Sequence, residues 1–328
     1  MSAYEDPVTT VIRLLGKKIQ VIKNDNSIAT VYVSKEWYDR ELFKNYDAQI
    51  SVGLAQSQDQ MLEISGRIRR RNGRLRLNIW ATDRPQTSDP GRTMRQKLVE
   101  EVNRVVRQNM KTPNQAFYDF SGLGYPSGDP HKAFSGAGAS ELVPSDPGWA
   151  ELSNLDYQKI WHPDNIDYSK STSVNLQYSM MLFRFKLDMD ASKVQQIVLS
   201  FLGYGTAPGG NGSTIKVWNP GASAWQNAAS GSAGVNETVT ITLTSNLSNY
   251  IDSNGYVWLL ARTTNPSNGT TAAVINCDYV SCTVTVNGIT YLNIESYRDV
   301  DRVDVKPFIF RTEFILKSWS FEDIGGVF

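Results

Sequence analysis

The sequence predicts an α+β protein in which a small antiparallel sheet with two helices is interrupted by an inserted all-β domain, a jelly-roll or β-sandwich. Three observations predict this fold class: two helical patterns in the first 110 residues, short strand-like segments over 172–287 and a long strand pattern after residue 306. A chain of 328 residues is expected to form two domains. The predicted segments are 1–117 for the first part of the α+β domain, 118–165 for an extended Gly/Pro-rich arm or linker, 166–288 for the inserted sandwich and 289–328 for a return strand that completes the first domain.

The composition is that of an ordinary globular protein. Hydrophobic residues make up 41% and charged residues 20% of the chain, which argues against disorder. The formal net charge is +0, so no overall field attracts nucleic acid or membrane, and any charged site must be a local patch. The N-terminus lacks a basic start followed by an apolar stretch, and no segment reaches the ~20 apolar residues of a membrane span. We therefore expect a soluble chain with no membrane partner.

Two amphipathic helices are expected before residue 110. Asp6 can cap the first helix, Pro7 suits its first position and Gly16 can end it. Asp89 can cap the second helix, with Pro90 at its first position. The apolar stripes consist of Val8, Val11, Ile12 and Leu15 in the first helix, and of Met94, Leu98, Val102, Val105 and Val106 in the second.

The strongest local signal is Asn72-Gly73, which lies between the alternating segments MLEISGRIRRR and RLRLNIWA. Asn-Gly favours a type I′ turn, so a β-hairpin is predicted here. Arginines on alternating positions would then place several guanidinium groups on one sheet face. They can form a subunit interface or line a DNA channel, or they can be a solvated face that protects an edge strand. The candidates are Arg67, Arg69, Arg71, Arg74 and Arg76.

The amino-acid composition of the middle of the chain changes twice. Residues 118–165 are rich in Gly, Pro and Ser and are predicted to form an arm without regular structure. From about residue 172 to 287, short alternating segments such as ETVTITLT are separated by Gly, Asn, Pro and Ser, which is typical of a sandwich. Cys277 and Cys282 lie in one such segment, where a strand would hold them too far apart for a disulfide.

The last segment, PFIFRTEFILKSW, is typical of one long strand with aromatic and charged alternation. A strand of this length needs a sheet to pair with, and the first 110 residues offer one. We therefore infer that the sandwich is inserted into the first domain and that the C-terminal strand returns to complete the sheet.

The order of these outer elements resembles the tail-terminator (tail-completion or neck) proteins of tailed bacteriophages and archaeal viruses. The resemblance rests on Leu75 to Asp83, Pro90 to Asn109 and Pro307 to Trp319, and covers about 1–117 and 289–328. It implies a structural virion protein, assembled in the host cytoplasm, that forms a ring with itself, usually a hexamer, and ends polymerisation of the tail tube. The implied partners are the tail tube protein, the head-tail connector protein and passing double-stranded DNA, contacted without sequence specificity.

The insert is similar to galactose-binding-like jelly rolls, the fold of many carbohydrate-binding modules. The segments YGTAPGGNGSTIKVWNPGASAWQN and IDSNGYVWLLARTTN carry this likeness. Exposed tryptophans can stack on sugar rings, whereas buried ones only pack the core. The alternative function is therefore a carbohydrate-binding or adhesion protein, and a third is another structural tail, baseplate or head-decoration component. The glycan-binding candidates are Trp218, Trp225 and Trp258.

No catalytic motif is found in the sequence, so a non-catalytic protein without a cofactor is expected. Gly-x-Ser-x-Gly, a P-loop and His-Glu-x-x-His are absent from it. Its two histidines, His131 and His162, offer few candidates for a triad. Asp188, Asp190 and Asp278 can hold calcium if they converge, but they lack EF-hand spacing, so no metal site is predicted.

Overall fold

The computed structural model describes residues 3–62, 68–83, 88–125, 128–302, 304 and 306–323. The chain divides into two compact units. The sandwich unit consists of Ala116–Thr285, and the split unit consists of Ala3–Gln115 together with residues 286–323. The helices are α1 (Pro7–Lys18), α2 (Gly91–Gln108) and α3 (Asn154–Gln158). The strands are β1 (Val31–Ser34), β2 (Ala48–Met61), β3 (Ile68–Thr82), β4 (Gln115–Tyr118), β5 (Lys132–Gly138), β6 (Ala150–Glu151), β7 (Tyr168–Thr172), β8 (Tyr178–Lys186), β9 (Val194–Thr206), β10 (Ser213–Asn219), β11 (Ala224–Ser230), β12 (Glu237–Leu243), β13 (Tyr256–Thr263), β14 (Ala273–Val286), β15 (Tyr291–Asp299) and β16 (Ile309–Asp323).

The predicted α+β fold class is wrong, because the chain is mostly β. Strands hold 46% of the residues and helices only 15%. The sheet of the split unit is not small, since β2, β3 and β16 each have 14 or 15 residues. It is also not antiparallel throughout, because β1 pairs with β2 in parallel. The sequence does not predict the full length of β2, because the second half of this strand, LAQSQDQM, is exposed along its whole length and shows no apolar alternation.

The sheet of the split unit has the order β1-β2-β3-β16-β15. One of its faces packs against α1 and α2, and the apolar stripes predicted for both helices lie in this core. Burial of such a stripe stabilises a helix more than its intrinsic propensity does. Among the described residues, no helix is both long and apolar enough to span a membrane.

The two helix starts differ in how well the sequence predicts them. The side chain of Asp6 accepts the N–H of Val8 at 3.4 Å, as expected, although α1 continues past Gly16 to Lys18. Asp89 does not cap α2, because Asp83 Oδ1 accepts the N–H of Gly91 at 2.7 Å. The carboxylate of Asp89 is instead buried and pairs with Lys97 at 2.7 Å.

The hairpin predicted at Asn72-Gly73 is wrong, because both residues lie inside β3. The antiparallel neighbour of β3 is β2, and their register extends to the pair Met61 and Arg69. A Cβ on Gly73 would lie 2.7 Å from Ser318 Oγ on β16. The glycine therefore allows the close approach of a neighbouring strand and does not form a turn.

The C-terminal strand β16 lies next to β3 in the sheet of the split unit. It pairs antiparallel with β3 over all 15 of its residues, and β15 pairs along its other edge. Phe314 and Leu316 lie opposite Leu77 and Leu75, and all four side chains are fully buried in the core of this unit.

The sandwich predicted for the middle of the chain is confirmed. One sheet has the order β11-β10-β13-β8-β5-β6, and the other has the order β12-β9-β14-β4 with β7 also paired to β14. Apolar residues from both sheets form one core, in which the rings of Phe183 on β8 and Phe201 on β9 lie 6.3 Å apart. Cys277 and Cys282 lie on the same strand, β14, as the sequence predicts, and both side chains are buried.

The arm predicted for 118–165 is wrong, because this segment builds part of the sandwich unit. It contains β5, which pairs with β8 over seven residues, and α3, whose Tyr157 is buried in the core. The glycines of this segment are interpreted as a sign of irregular structure from the sequence alone, but glycine also occurs in a strand where another group approaches the backbone closely. A Cβ on Gly136 would lie 2.9 Å from the ring of Trp149.

Candidate functional site

Two of the predicted tryptophans lie on the outer face of the six-stranded sheet. Val257 and Leu259 on β13 are fully buried in the core, so Trp258 between them points to the opposite face. The same alternation on β10 buries Val217 and turns Trp218 outward. Both indoles are half-buried, so part of each ring is in contact with solvent.

Trp225, Trp218 and Trp258 occupy adjacent positions on three neighbouring strands, and we call them the tryptophan row. Trp218 and Trp225 are a direct cross-strand pair, with ring centroids 5.1 Å apart and planes at 65°. Val217 pairs with Leu259, so the next residues on these antiparallel strands, Trp218 and Trp258, are neighbours too. With strands about 4.8 Å apart, the row extends across about 10 Å of the sheet.

Two basic residues continue the row on the next two strands. Arg184 on β8 pairs with Trp258, and Lys132 on β5 pairs with Arg184. The guanidinium carbon of Arg184 lies 5.5 Å from the ring centroid of Trp258 and 4.5 Å from that of Tyr256. Its Nε donates to Pro130 O at 2.9 Å. These contacts hold the Arg184 side chain against the aromatic rings.

The segment that follows β5 contacts the outer face of the six-stranded sheet through the carboxylate of Glu141. Glu141 accepts Lys216 of β10 at 2.6 Å and Arg262 of β13 at 2.8 Å. Burial would raise the pKa of Glu141, but the hydrogen bonds from the two cations outweigh it and lower the pKa below its usual value. Trp225 Nε1 donates to Leu142 O at 3.0 Å, which places this segment at one end of the row.

The polar groups of the row are largely satisfied within the protein. Trp258 Nε1 donates to Asp252 Oδ2 at 3.1 Å, and Lys132 pairs with Glu151 at 2.6 Å. A ligand on this face would therefore meet half-exposed aromatic rings first, with charged groups beside them. This arrangement suits a ligand that has both an apolar face and hydroxyl groups.

The predicted arginines do not form one cluster. Arg67 lies outside the described residues. Because β3 continues through Asn72-Gly73, Arg69 and Arg71 lie on the same face as Leu75, whereas Arg74 and Arg76 lie on the other face. A turn at that dipeptide would have placed them all together.

Three of these arginines pair with carboxylates of the same chain. Arg71 Nε contacts Asp59 at 3.1 Å, and Arg74 forms a two-point contact with Glu295 at 2.7 and 2.8 Å. Arg76 contacts Glu313 at 3.0 Å. The function predicted for these arginines at an interface or DNA channel stays a prediction.

The three aspartates considered for calcium have separate protein partners. Asp188 accepts the hydroxyl of Tyr118, and Asp190 accepts the N–H of Ser192 at 2.9 Å. Asp278 accepts the N–H of Asn165 at 2.9 Å, and burial raises its pKa. In the part of the chain that the structure describes, no three His, Cys, Asp or Glu side chains are placed to hold a metal ion.

Sequence reasoning missed the polar part of this face. Arg184 and Lys132 enter it only through the register of β13, β8 and β5. Tyr256 carries a sequence signal, since it lies two residues before Trp258 and therefore on the same face of the strand. Lys132 carries none, because it belongs to the segment predicted as an arm.

Comparisons with known proteins match the middle of the chain. The family described as "Uncharacterized protein, C-terminal domain" matches residues 131–286. No curated protein matches the chain. The matched family model ends one residue past the sandwich unit and does not extend to the segments that resemble tail terminators, so that assignment stays a prediction.

Among solved structures, the "xylan-binding module CBM15" is similar over 53% of this chain and 98% of its own, at 11% identity and a TM-score of 0.28. TmCBM61 in complex with β-1,4-galactotriose is similar over 55% of this chain and 92% of its own, at 10% identity and a TM-score of 0.21. The family 11 carbohydrate-binding module from Clostridium thermocellum, in complex with a β-1,3-1,4-mixed-linked tetrasaccharide, is similar over 53% and 89%, at 10% identity and a TM-score of 0.21.

Proposed function

We propose that the chain is a non-catalytic carbohydrate-binding protein whose ligand lies on the tryptophan row of the sandwich unit. The observation that carries this proposal is the contiguity of Trp225, Trp218 and Trp258 on three neighbouring strands of an outward sheet face. The outward position of these tryptophans is not explained by core packing, since the alternate residues of the same strands fill the core of this unit. Three half-exposed indoles in one row are typical of a binding surface.

The chemistry of the row fits a sugar polymer. The ring of a pyranose has apolar C–H faces, which pack on an indole, and hydroxyl groups at its rim, which need hydrogen-bond partners. The row offers the indoles across about 10 Å, and Arg184 and Lys132 add donors at its end. The planar fork of Arg184 also suits a carboxylate on an acidic sugar.

Affinity electrophoresis of the full chain tests this proposal. Native gels that contain neutral or acidic polysaccharides should retard the wild type in at least one case. The triple variant Trp218→Ala, Trp225→Ala and Trp258→Ala should migrate as it does in a gel without polysaccharide. Trp161→Ala is the matched control, because Trp161 does not belong to the tryptophan row. It lies on the segment that follows α3, and its ring centroid is 5.7 Å from that of His162.

A second candidate function is the structural ring of a virion neck. The observation that favours it is the pairing of β16 with β3 along its whole length, which agrees with the element order of the tail-terminator family. Light scattering of the purified chain tests this candidate. A closed oligomer, such as the predicted hexamer, would favour the ring, whereas a monomer at all concentrations would exclude it.

A further inference from the structure

The split unit carries a strongly basic surface on the face of its sheet opposite α1 and α2. Among the side chains that the structure describes, strand alternation places six cationic groups and two carboxylates, Glu295 and Glu313, on this face, which we call the basic face. The cations come from three neighbouring strands and are Arg70, Arg74, Arg76, Arg298, Arg311 and Lys317.

Glu313 is shared by three arginines, so it cannot neutralise them. Its carboxylate lies 3.0 Å from Arg76, 2.9 Å from Arg298 and 3.7 Å from Arg311, and its side chain is only 9% exposed. The side chains of Arg76 and Arg298 are 51% and 76% exposed. A cluster of this kind keeps an excess of positive charge at the surface, where an anion can reach it.

Exposed aromatic rings lie at both ends of the basic face. Trp37 is 55% exposed, and the guanidinium carbon of Arg311 lies 5.1 Å from its ring centroid. Phe321 is 54% exposed and pairs with Arg70 across the strands. Arg311 and Phe321 are ten residue steps apart along β16, which is about 33 Å of extended strand.

The space between these ends is polar and partly concave. A cavity of about 280 Å³ lies beside Trp37 and is lined by Lys35, Gly53, Arg76 and Asn78. Farther along the sheet, exposed Gln58 of β2 lies opposite Asn72 in the register of the two strands. The basic face therefore combines cations, amide groups and aromatic rings along one direction.

We propose that the basic face binds single-stranded nucleic acid. The cations would contact phosphates without reading sequence, and the amides would hydrogen-bond to bases. The exposed rings favour a single strand over a duplex, because only unpaired bases present their flat faces for stacking. The site is independent of the tryptophan row, which belongs to the sandwich unit.

Fluorescence anisotropy of a labelled oligothymidylate with the full chain tests this proposal. Four phosphate contacts at a slope of about −0.7 each predict an affinity loss of about 50-fold between 50 and 200 mM salt. Arg76→Gln with Arg298→Gln should weaken binding about tenfold or more, since it removes two contacts. Phe321→Ala should weaken binding of the single strand about fivefold, the loss of one base stack.

Two further variants separate a binding role from a merely structural one. Glu295→Gln frees Arg74 from its carboxylate and should therefore raise the affinity, an effect that damage to the fold cannot produce. Arg104→Gln removes an exposed cation that pairs with Glu101 on α2 and should change nothing. Thermal unfolding of each variant would verify that it is folded.

Three results would overturn the proposal. The first is no binding of the oligonucleotide at 50 mM salt. The second is a duplex of the same length that binds as tightly as the single strand and is unaffected by Phe321→Ala, which would assign the face to double-stranded DNA. The third is an equal loss of affinity in Arg104→Gln and in the double arginine variant.

Discussion

Trp218 and Trp225 face each other directly across β10 and β11, with their ring planes at 65° and their centroids 5.1 Å apart. An edge-to-face pair of this kind couples the two residues energetically. We expect a double-mutant cycle of Trp218→Ala and Trp225→Ala to give a coupling of about 0.5–1.5 kcal/mol in the free energy of unfolding. Urea denaturation of the four proteins measures it. Strictly additive losses would show that the rings do not act as a pair.

Glu141 should make the stability of the chain depend on pH. Its pKa is lowered in the folded state by Lys216 and Arg262, so its contribution is present above its ordinary value of 4.5 and is lost as the pH falls through the folded value. Glu141→Gln leaves both cations without a carboxylate and should cost about 1–3 kcal/mol at pH 7.

Thermal unfolding of wild type and Glu141→Gln between pH 7 and pH 3 measures this effect. The two proteins should converge in acid, where the wild-type carboxylate is protonated. A difference between them that stays constant over the whole range would mean that the ion pairs contribute nothing.

Gly73 should tolerate no side chain while Ser318 keeps its hydroxyl. A Cβ at position 73 would meet Ser318 Oγ at 2.7 Å, so Gly73→Ala should cost about 1–3 kcal/mol. In the Ser318→Ala background the same change should cost less, because the contact is gone. Gly53→Ala on β2 is the control, since nothing lies within 4 Å of its added Cβ. Equal costs at positions 53 and 73 would refute the steric explanation.

Cys277 and Cys282 should be inert in the native protein. Both are fully buried, and burial raises the pKa of the Cys277 thiol well above its usual value, so little thiolate is present. A thiol reagent such as DTNB should modify neither residue in native buffer and both in denaturant. Rapid modification of the native chain would indicate that the sandwich core opens readily.

Patterns that depend on neighbours along the chain predicted part of this fold. The apolar stripes of α1 and α2 pack in the core, where Ile12 is partly buried and the other members are buried, as are the alternating Leu75, Leu77 and Ile79. The Asn72-Gly73 turn failed because the glycine serves a contact with Ser318, which is 245 residues away in the sequence. A pattern of neighbouring residues cannot predict a contact between residues so far apart in the sequence.

The candidate site was predicted in the same partial way. Trp218, Trp225 and Trp258 were selected by residue type, but their contiguity depends on the order β11-β10-β13, which the sequence does not encode locally. Arg184 joins them only through the pairing of β8 with β13. The arginines of β3 were assigned to one face because a turn was assumed where the strand continues.

A glycan array probed with the fluorescently labelled full chain tests the central claim most directly, with folded wild type, triple tryptophan variant and Trp161→Ala compared side by side. The proposal predicts binding to at least one class of carbohydrate by the wild type and by Trp161→Ala, and none by the triple variant. A wild type that binds no glycan, or a triple variant that binds as the wild type does, would contradict it.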